Sequence, residues 1–306
     1  MPLISVVTPT ARRPRLLIRA VKSVLAQSLR DLELIIVVDG PNSETVDILR
    51  TISDKRVRVI QNERSVGGGE ATNIGAAAAR GQWVAFLDDD DEWLPRKLEL
   101  QLKAARLSDR PIIVSCAGHI ITPHGRYIWP RRIYDGSVSI DEYLFDRRSL
   151  FKGEAMLQTS SLFMPLTLFN SLKFPYEHYD WDLLLRAVKS KDVRIVTVNE
   201  PLVNLYLEDQ RESMSGSYPW RGSVDWLEKS RPLLSSRAYS GFCLTVIGAQ
   251  AAKTGDYSTF FSLLARAFRN GSPRPVHIAL YVIFWLFPIR QRLWLRNIFH
   301  RAAAAR

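Results

Sequence analysis

The chain has 306 residues, 46% of them hydrophobic, with 42 Lys and Arg against 31 Asp and Glu and a formal net charge of +11. That length and apolar content exclude a disordered chain and suffice for two domains, or one large domain with an appendage. The two cysteines, Cys116 and Cys243, stand far apart in apolar company, which excludes a disulfide framework or a zinc cluster and predicts a reducing compartment. The arginine-rich excess of positive charge calls for an anionic partner: nucleotide, phospholipid surface or nucleic acid.

Strand and helix signals alternate through the first half. Ile4–Thr8 is a β-rich run, Leu16–Leu25 has helical spacing, and Leu32–Val38 reads as a buried strand ending in Asp39-Gly40-Pro41. Thr45–Ile52 reads as helix, Val57–Ile60 as strand, Glu70–Arg80 as an alanine-rich helix and Trp83–Leu87 as strand. Such alternation predicts a mostly parallel sheet with helices on both faces. The pattern then changes, because Ile112–Cys116, Ile120–Thr122 and Tyr127–Ile133 look like strands with no helix between them, followed by a helix at Ile140–Phe145, so the sheet turns mixed. Past residue 215, Ala238–Ala252 and Tyr257–Asn270 read as a helical hairpin turning at Thr254-Gly255-Asp256.

The strand Trp83–Leu87 delivers four consecutive aspartates, Asp88–Asp91, to its C-terminal end. Ligands of open parallel sheets bind at that end. Crowded carboxylates repel unless neutralised, and a set of oxygen ligands suits a hard ion such as Mg²⁺ or Mn²⁺ with positions left for phosphate oxygens. The competing reading is an acidic first turn on a helix begun by Pro95, where the helix dipole favours negative charge.

Four motifs in order carry a family resemblance: Ser5-Val-Val-Thr-Pro-Thr10, the strand ending Val37-Val-Asp-Gly40, Leu87-Asp-Asp-Asp-Asp-Glu-Trp-Leu-Pro95, and Tyr179-Asp-Trp-Asp-Leu-Leu-Leu-Arg186. Residues 4–215 thereby resemble the family 2 glycosyltransferases of the GT-A fold. The resemblance implies an α/β fold with a mixed, mostly parallel sheet and a catalytic domain over residues 1–215, while the helical signals past it read as a C-terminal extension over 216–306. It also implies an inverting, metal-dependent enzyme.

Carried over motif by motif, Thr8, Pro9 and Thr10 border the nucleotide and Asp39 hydrogen-bonds the base. A carboxylate there accepts the imide N–H of uracil or thymine, which implies a UDP- or dTDP-sugar donor. In the family's Asp-x-Asp-Asp pattern, Asp88 lies near ribose and metal and Asp90 is the principal metal ligand. Asp89 takes the variable position beside the nucleotide, and Asp91 orients the turn. Asp180 aligns with the family's general base, although Tyr179 stands where the family usually has Glu. An i,i+4 pair Asp182–Arg186 reads as structural.

The glycine-rich segment Asn62-Glu-Arg-Ser-Val-Gly-Gly-Gly-Glu-Ala-Thr-Asn-Ile-Gly75 resembles the family's loop along the donor pyrophosphate. Thr72 replaces the usual Arg, leaving Arg64 as the substitute. The stretch lacks the Lys-Ser/Thr of a Walker loop and does not match Gly-x-Gly-x-x-Gly. Arg211 sits where related enzymes close a basic loop over the diphosphate. Gln158, Thr159 and Ser160 read as the acceptor side.

The stretch Val276–Phe287 is apolar on every face and is followed by Arg290, Arg292, Arg296, Arg301 and Arg306. It reads either as an interfacial helix on an anionic leaflet or as a helix packed on the protein. With no signal-peptide pattern and no apolar run of about 20 residues, the chain is expected in the cytoplasm, peripheral at the inner face of the cell membrane. The expected acceptor is a hydroxyl of a glycan or lipid-linked oligosaccharide, as in cell-surface polysaccharide synthesis. Three other readings stand beside this one. A pyrophosphorylase lacks its N-terminal glycine-rich signature here. A non-catalytic membrane adaptor would retain the fold alone. A nucleic-acid binder would use Arg12, Arg13 and Arg15, and no nucleic-acid partner is expected.

Overall fold

A computed structural model describes residues 1–123, 125–150, 155–175, 178–207 and 219–287. The chain forms two compact units, one of Met1–Ser137 with Ala155–Asp209 and one of Val138–Glu154 with Gln210–Arg306. The sequence reading drew one boundary at 215; the units divide slightly earlier and give residues 138–154 to the second.

In the first unit, strands β1 (Ile4–Thr10), β2 (Leu32–Val38), β3 (Val57–Gln61) and β4 (Trp83–Phe86) run parallel, joined by helices α1 (Pro14–Leu25), α2 (Ser43–Arg50) and α3 (Gly68–Ala77). Every residue of β2 is buried, as a strand covered on both faces requires. Its side chains alternate: Leu32, Leu34, Ile36 and Val38 join the core containing Leu17 and Val24 of α1, whereas Ile35 and Val37 pack with Ala71 of α3. Helices therefore cover both faces.

Beyond β4 come β5 (Glu92–Trp93), α4 (Lys97–Ala105), β6 (Ile112–Thr122) and β7 (Gly125–Trp129). Next are α5 (Ile140–Phe145), β8 (Phe163–Pro165), α6 (Leu166–Leu172), α7 (Tyr179–Lys191) and β9 (Arg194–Tyr206). The sheet order is β3-β2-β1-β4-β8-β6-β9-β5, with β7 paired to β6. β8 is antiparallel to both β4 and β6, while β6 and β9 are parallel, so the sheet is mixed as expected.

Two readings are corrected. The separate strands at Ile112–Cys116 and Ile120–Thr122 are one strand, and the apparent break is an irregularity where the register with β9 shifts around Ala117. The aspartates do not form the first turn of a helix, because β5 intervenes and α4 begins only at Lys97.

The second unit contains α5, α8 (Trp220–Lys229), α9 (Ser236–Phe242), a π-helical segment Cys243–Ile247, α10 (Gly248–Thr254), α11 (Phe260–Asn270) and α12 (Pro275–Leu286). The predicted hairpin is present, turning at Gly255 with φ of 70°. The rings of Phe145, Trp226 and Phe242 form an aromatic centre, with Phe145 and Phe242 edge-on at 5.0 Å. Asp146, with a fully buried side chain, receives two bonds from Arg274 at 2.7 and 2.8 Å, and His277 Nε2 lies 3.4 Å away. Replacing Arg274 with Met leaves a buried carboxylate without its main counter-charge. The expected loss is roughly 3 kcal/mol of stability, read as a lower urea midpoint for the second unit.

Candidate active site

The carboxyl ends of three parallel strands meet at the acidic turn. Thr10 ends β1, Asp39 follows β2 and its N–H bonds the Thr10 carbonyl at 2.8 Å, and Leu87 after β4 bonds the Val7 carbonyl at 3.0 Å. Ligand-oxygen positions of Asp88, Asp90 and Asp91 lie within 4.8 Å of one another. An all-oxygen donor set this close fits a hard divalent cation. Asp91 is buried, and burial, reinforced by repulsion from Asp88 and Asp89, raises its pKa well above the usual carboxylate range. A positive charge among these groups would relieve that repulsion. Asp91 thus belongs to the oxygen cluster, beyond the orienting role read from the sequence.

Neighbouring elements hold the turn. The Thr10 hydroxyl donates to Asp89 at 2.7 Å, and Arg13, just before α1, donates to Asp89 at 3.3 Å and to Asp90 at 3.2 Å. Arg19 donates to the Asp90 carbonyl at 2.5 Å while its guanidinium stacks 3.6 Å from the Tyr206 ring centre. Ser160 accepts from the Asp88 N–H at 3.1 Å and donates to Asp91 at 2.6 Å. Ser160 therefore fixes the acidic turn, a role that its reading as an acceptor-side residue did not include. Sequence reasoning missed Arg13 and Arg19 as site residues. The available signal was their place just before and within the first turns of the helix that follows the Thr-Pro-Thr motif.

Behind the turn lies a buried polar layer. Lys97 has no exposed surface; its Nζ donates to Gln101 at 2.7 Å and sits 3.9 Å from the Trp93 ring centre. Burial lowers its pKa to about 8. The Trp93 indole N–H donates to the Ser160 carbonyl at 2.9 Å, and Gln101 donates to the carbonyls of Val114 and Ser161. Lys97 and its partners thus brace, from within the core, the 159–161 turn that carries Ser160.

The other expected residues lie as follows. The Thr8 hydroxyl is buried at the end of β1 without a hydrogen-bond partner, and Pro9 is half-buried beside it. Asp39 accepts four bonds, from Asn62 at 3.0 Å, Ser65 at 2.7 Å and the N–H groups of Val66 and Gly67 at 2.8 and 2.9 Å. Burial opposes its charge, yet these donors outweigh burial and hold its pKa below the usual range. Asp39 thus pins the glycine-rich loop, whose Gly67 has φ of 89°. Arg64 is exposed on that loop, and Arg211 lies outside the described residues.

The loop in turn holds the segment before Asp180. Asn73 exchanges two bonds with the Phe174 backbone, each 2.9 Å. A Cβ on Gly69 would stand 2.9 Å from the Pro175 carbonyl and 3.4 Å from the Tyr179 ring, so glycine permits this close approach. Asp180 lies in the first turn of α7 and accepts the Trp181 N–H at 2.9 Å; burial raises its pKa to about 6. His178 stacks on Trp181, and burial lowers its pKa to about 4. Asp182 pairs with Arg186, which also bonds the Leu172 and Lys173 carbonyls, so this pair is structural as expected.

This sheet, with an acidic turn at the carboxyl ends of its parallel strands, defines a GT-A glycosyltransferase fold. Residues 5–170 match the family described as glycosyl transferase family 2, and the chain belongs to that family. It is 28% identical over 247 residues to the amylovoran biosynthesis glycosyltransferase AmsB of Erwinia amylovora, covering 76% of this chain and 79% of AmsB. An uncharacterized glycosyltransferase of Rickettsia prowazekii is 31% identical over 192 residues, a match spanning 61% of this chain and 59% of the relative's length.

Among solved structures, S. aureus TarS 1–349 in complex with UDP-GlcNAc superposes with a TM-score of 0.59 at 18% identity, covering 85% of this chain and 73% of that one. The mannosyltransferase PcManGT of Pyrobaculum calidifontis, in complex with GDP-Man and Mn²⁺, has a TM-score of 0.57 at 16% identity, covering 99% of this chain and 86% of that one. At these identities the likeness is one of fold.

Replacing Ser160 with Ala removes the acceptor for the Asp88 N–H and the donor to Asp91 together. Mn²⁺ affinity should fall about tenfold and stability by roughly 1–3 kcal/mol, measured by metal titration and thermal unfolding.

Proposed function

We propose that the protein is an inverting, metal-dependent glycosyltransferase that moves a sugar from a UDP- or dTDP-sugar to a hydroxyl of a glycan or lipid-linked oligosaccharide. The observation that carries this reading is the Asp88, Asp90 and Asp91 cluster at the carboxyl ends of the parallel strands. Family membership and the likeness to AmsB, an amylovoran biosynthesis glycosyltransferase, support a place in polysaccharide synthesis. The proposed location is the cytoplasmic leaflet, where lipid-linked acceptors are displayed. No helix among the described residues is long and apolar enough to cross a membrane.

A divalent cation held by Asp88, Asp90 and Asp91, Mg²⁺ or Mn²⁺, would stabilise the negative charge on the leaving diphosphate. Arg13, already beside Asp89 and Asp90, is the cation among the described residues that this reading assigns to a phosphate oxygen. Thr8, Pro9, Thr10 and Asp89 border the nucleotide in this reading, and the unpartnered Thr8 hydroxyl supports a polar ligand there. Asp39 takes the base edge. An imide N–H would replace one of its side-chain donors, Asn62 or Ser65, while the two backbone donors keep the loop in place. Arg64 and Arg211 are the loop cations assigned to the diphosphate.

Asp180 is the general base. It takes the proton of the acceptor hydroxyl as that oxygen bonds to the anomeric carbon and the bond from that carbon to the diphosphate oxygen breaks. A single displacement needs no protein nucleophile and inverts the anomeric centre. Burial places Asp180 at about 6, so it is ionised at neutral pH and more basic than an exposed aspartate or His178, at about 4.

Calorimetric titration of UDP, dTDP, GDP and CDP, with and without Mn²⁺, tests the donor site. Manganese-dependent binding of UDP or dTDP is expected, and Asp90→Ala should abolish it. A folded protein that binds no nucleotide would defeat the enzyme reading. For the base, kcat/KM should rise with pH through about 6 and level off above it, because the ionised carboxylate is the active form. Asp180→Asn should keep donor binding and lose about 10²–10⁴-fold in kcat; unchanged transfer would remove Asp180 from this role.

A further inference from the structure

The second unit leaves a row of large apolar side chains in water. Tyr257 is 68% exposed, Phe261 77%, Phe268 55% and Leu286 67%. Phe261 and Phe268 lie seven residues apart, two turns along one face of α11, with exposed Ala265 between them and Tyr257 four residues before Phe261. The Tyr257 ring is 5.4 Å from that of Trp285, which joins the end of α12 and its exposed Leu286 to the same row. α12 itself turns His277, Leu280, Tyr281 and Trp285 inward. The helix read as apolar on every face is therefore half packed, and the open stripe belongs to α11. Exposed aromatic rows of this kind mark interaction sites.

Charge selects the partner. Residues 257–306 contain eight arginines and no Asp or Glu. Arg266 and Arg274 are committed to Glu228 and Asp146, whereas Arg269, exposed beside Phe268, has no ion-pair partner among the described residues. A two-fold contact between copies would set Arg269 beside its own copy with no acid in residues 257–306 to neutralise it. A nucleic acid would answer the arginines and leave the aliphatic Leu286 and the Phe261–Phe268 row unburied. An anionic leaflet satisfies both, with rings at the acyl boundary and guanidinium groups at the phosphates.

We propose that the outer face of α11, continued by the end of α12, is a docking surface for anionic lipid. The proposal rests on the peripheral location given above and deepens it by naming the face. Flotation with vesicles of equal phosphatidylcholine and phosphatidylglycerol, against pure phosphatidylcholine, tests it on the full chain. The wild type should bind the anionic vesicles, and more weakly as salt rises. The Phe261→Ser, Phe268→Ser double variant should bind about tenfold more weakly or less. Arg269→Glu, a single change at an exposed position, should also weaken binding without lowering the thermal midpoint.

Full binding by the folded double variant would overturn this face while leaving the membrane location to residues 288–306. No binding of anionic vesicles by the wild type would overturn both. A concentration-dependent dimer lost in the double variant would assign the face to a second copy and overturn the lipid proposal. Nucleotide titration reads the transferase site independently of every one of these outcomes.

Discussion

Four carboxylates in succession at the end of one strand are the constraint around which the first unit is organised. Two unit charges about 4 Å apart repel by roughly 1 kcal/mol in water and about 4 kcal/mol at the effective dielectric of a protein surface. Asp88, Asp90 and Asp91 have oxygens within 4.8 Å of one another, so the fold must supply compensation. It comes from separate elements: Thr10 at the end of β1, Arg13 and Arg19 around the start of α1, and Ser160 in the turn before β8. Arg19 extends the support to β9 by stacking on Tyr206, whose hydroxyl donates to Glu92 of β5. The sheet order that sets β1, β4 and β8 side by side is what lets these groups reach one turn.

A second line of support runs from Asp39 to Asp180 without passing through the acidic turn. Asp39 pins the 62–67 loop, that loop opens α3, and Asn73 and Gly69 of α3 seat the chain at Phe174–Pro175 and Tyr179. Asp180 follows immediately. The proposed donor-side and acceptor-side carboxylates are thus linked through one helix, α3. In the proposed reading, the residue that meets the nucleobase is thereby coupled to the position of the proposed general base. Gly69 accounts for part of the glycine run, since a side chain there would push against the Pro175 carbonyl, four residues before Tyr179.

The parallel half of the sheet was legible because strands buried on both faces appear as near-continuous apolar runs, interrupted in Leu32–Val38 only by Glu33. Leu32–Val38 is bounded by its reading at both ends for that reason. β5 was not legible, since two residues, Glu92 and Trp93, carry no periodicity and become a strand only by pairing with Asn204 and Val203, over a hundred residues away. The irregularity near Ala117 mimicked a strand end for a similar reason, because only the partner strand reveals that pairing continues. At the site, the aspartates announced themselves by repulsion, a local property. Arg13 and Arg19 did not, because their meaning depends on where a strand 70 residues later delivers its carboxylates. Asp39 was recognisable as a special position, yet its four bonds to the glycine loop are tertiary facts.

The positive charge of the chain resolves along the same division. Residues 257–306 carry +8 of the net +11, leaving +3 for the 256 residues before them. The unit that holds the candidate active site, residues 1–137 and 155–209, carries +2 and is no general basic surface, and Arg13, one of the arginines that admitted a nucleic-acid reading, is bonded to Asp89 and Asp90. A near-neutral unit with local cations beside an acidic turn suits a diphosphate, because attraction is confined to the place where charge develops. A segment without a single acid suits an extended anionic surface, and of its described arginines Arg269 is the one not committed to a carboxylate elsewhere. Under the two proposals, keeping the two kinds of charge on separate stretches of chain would let each meet its own anion.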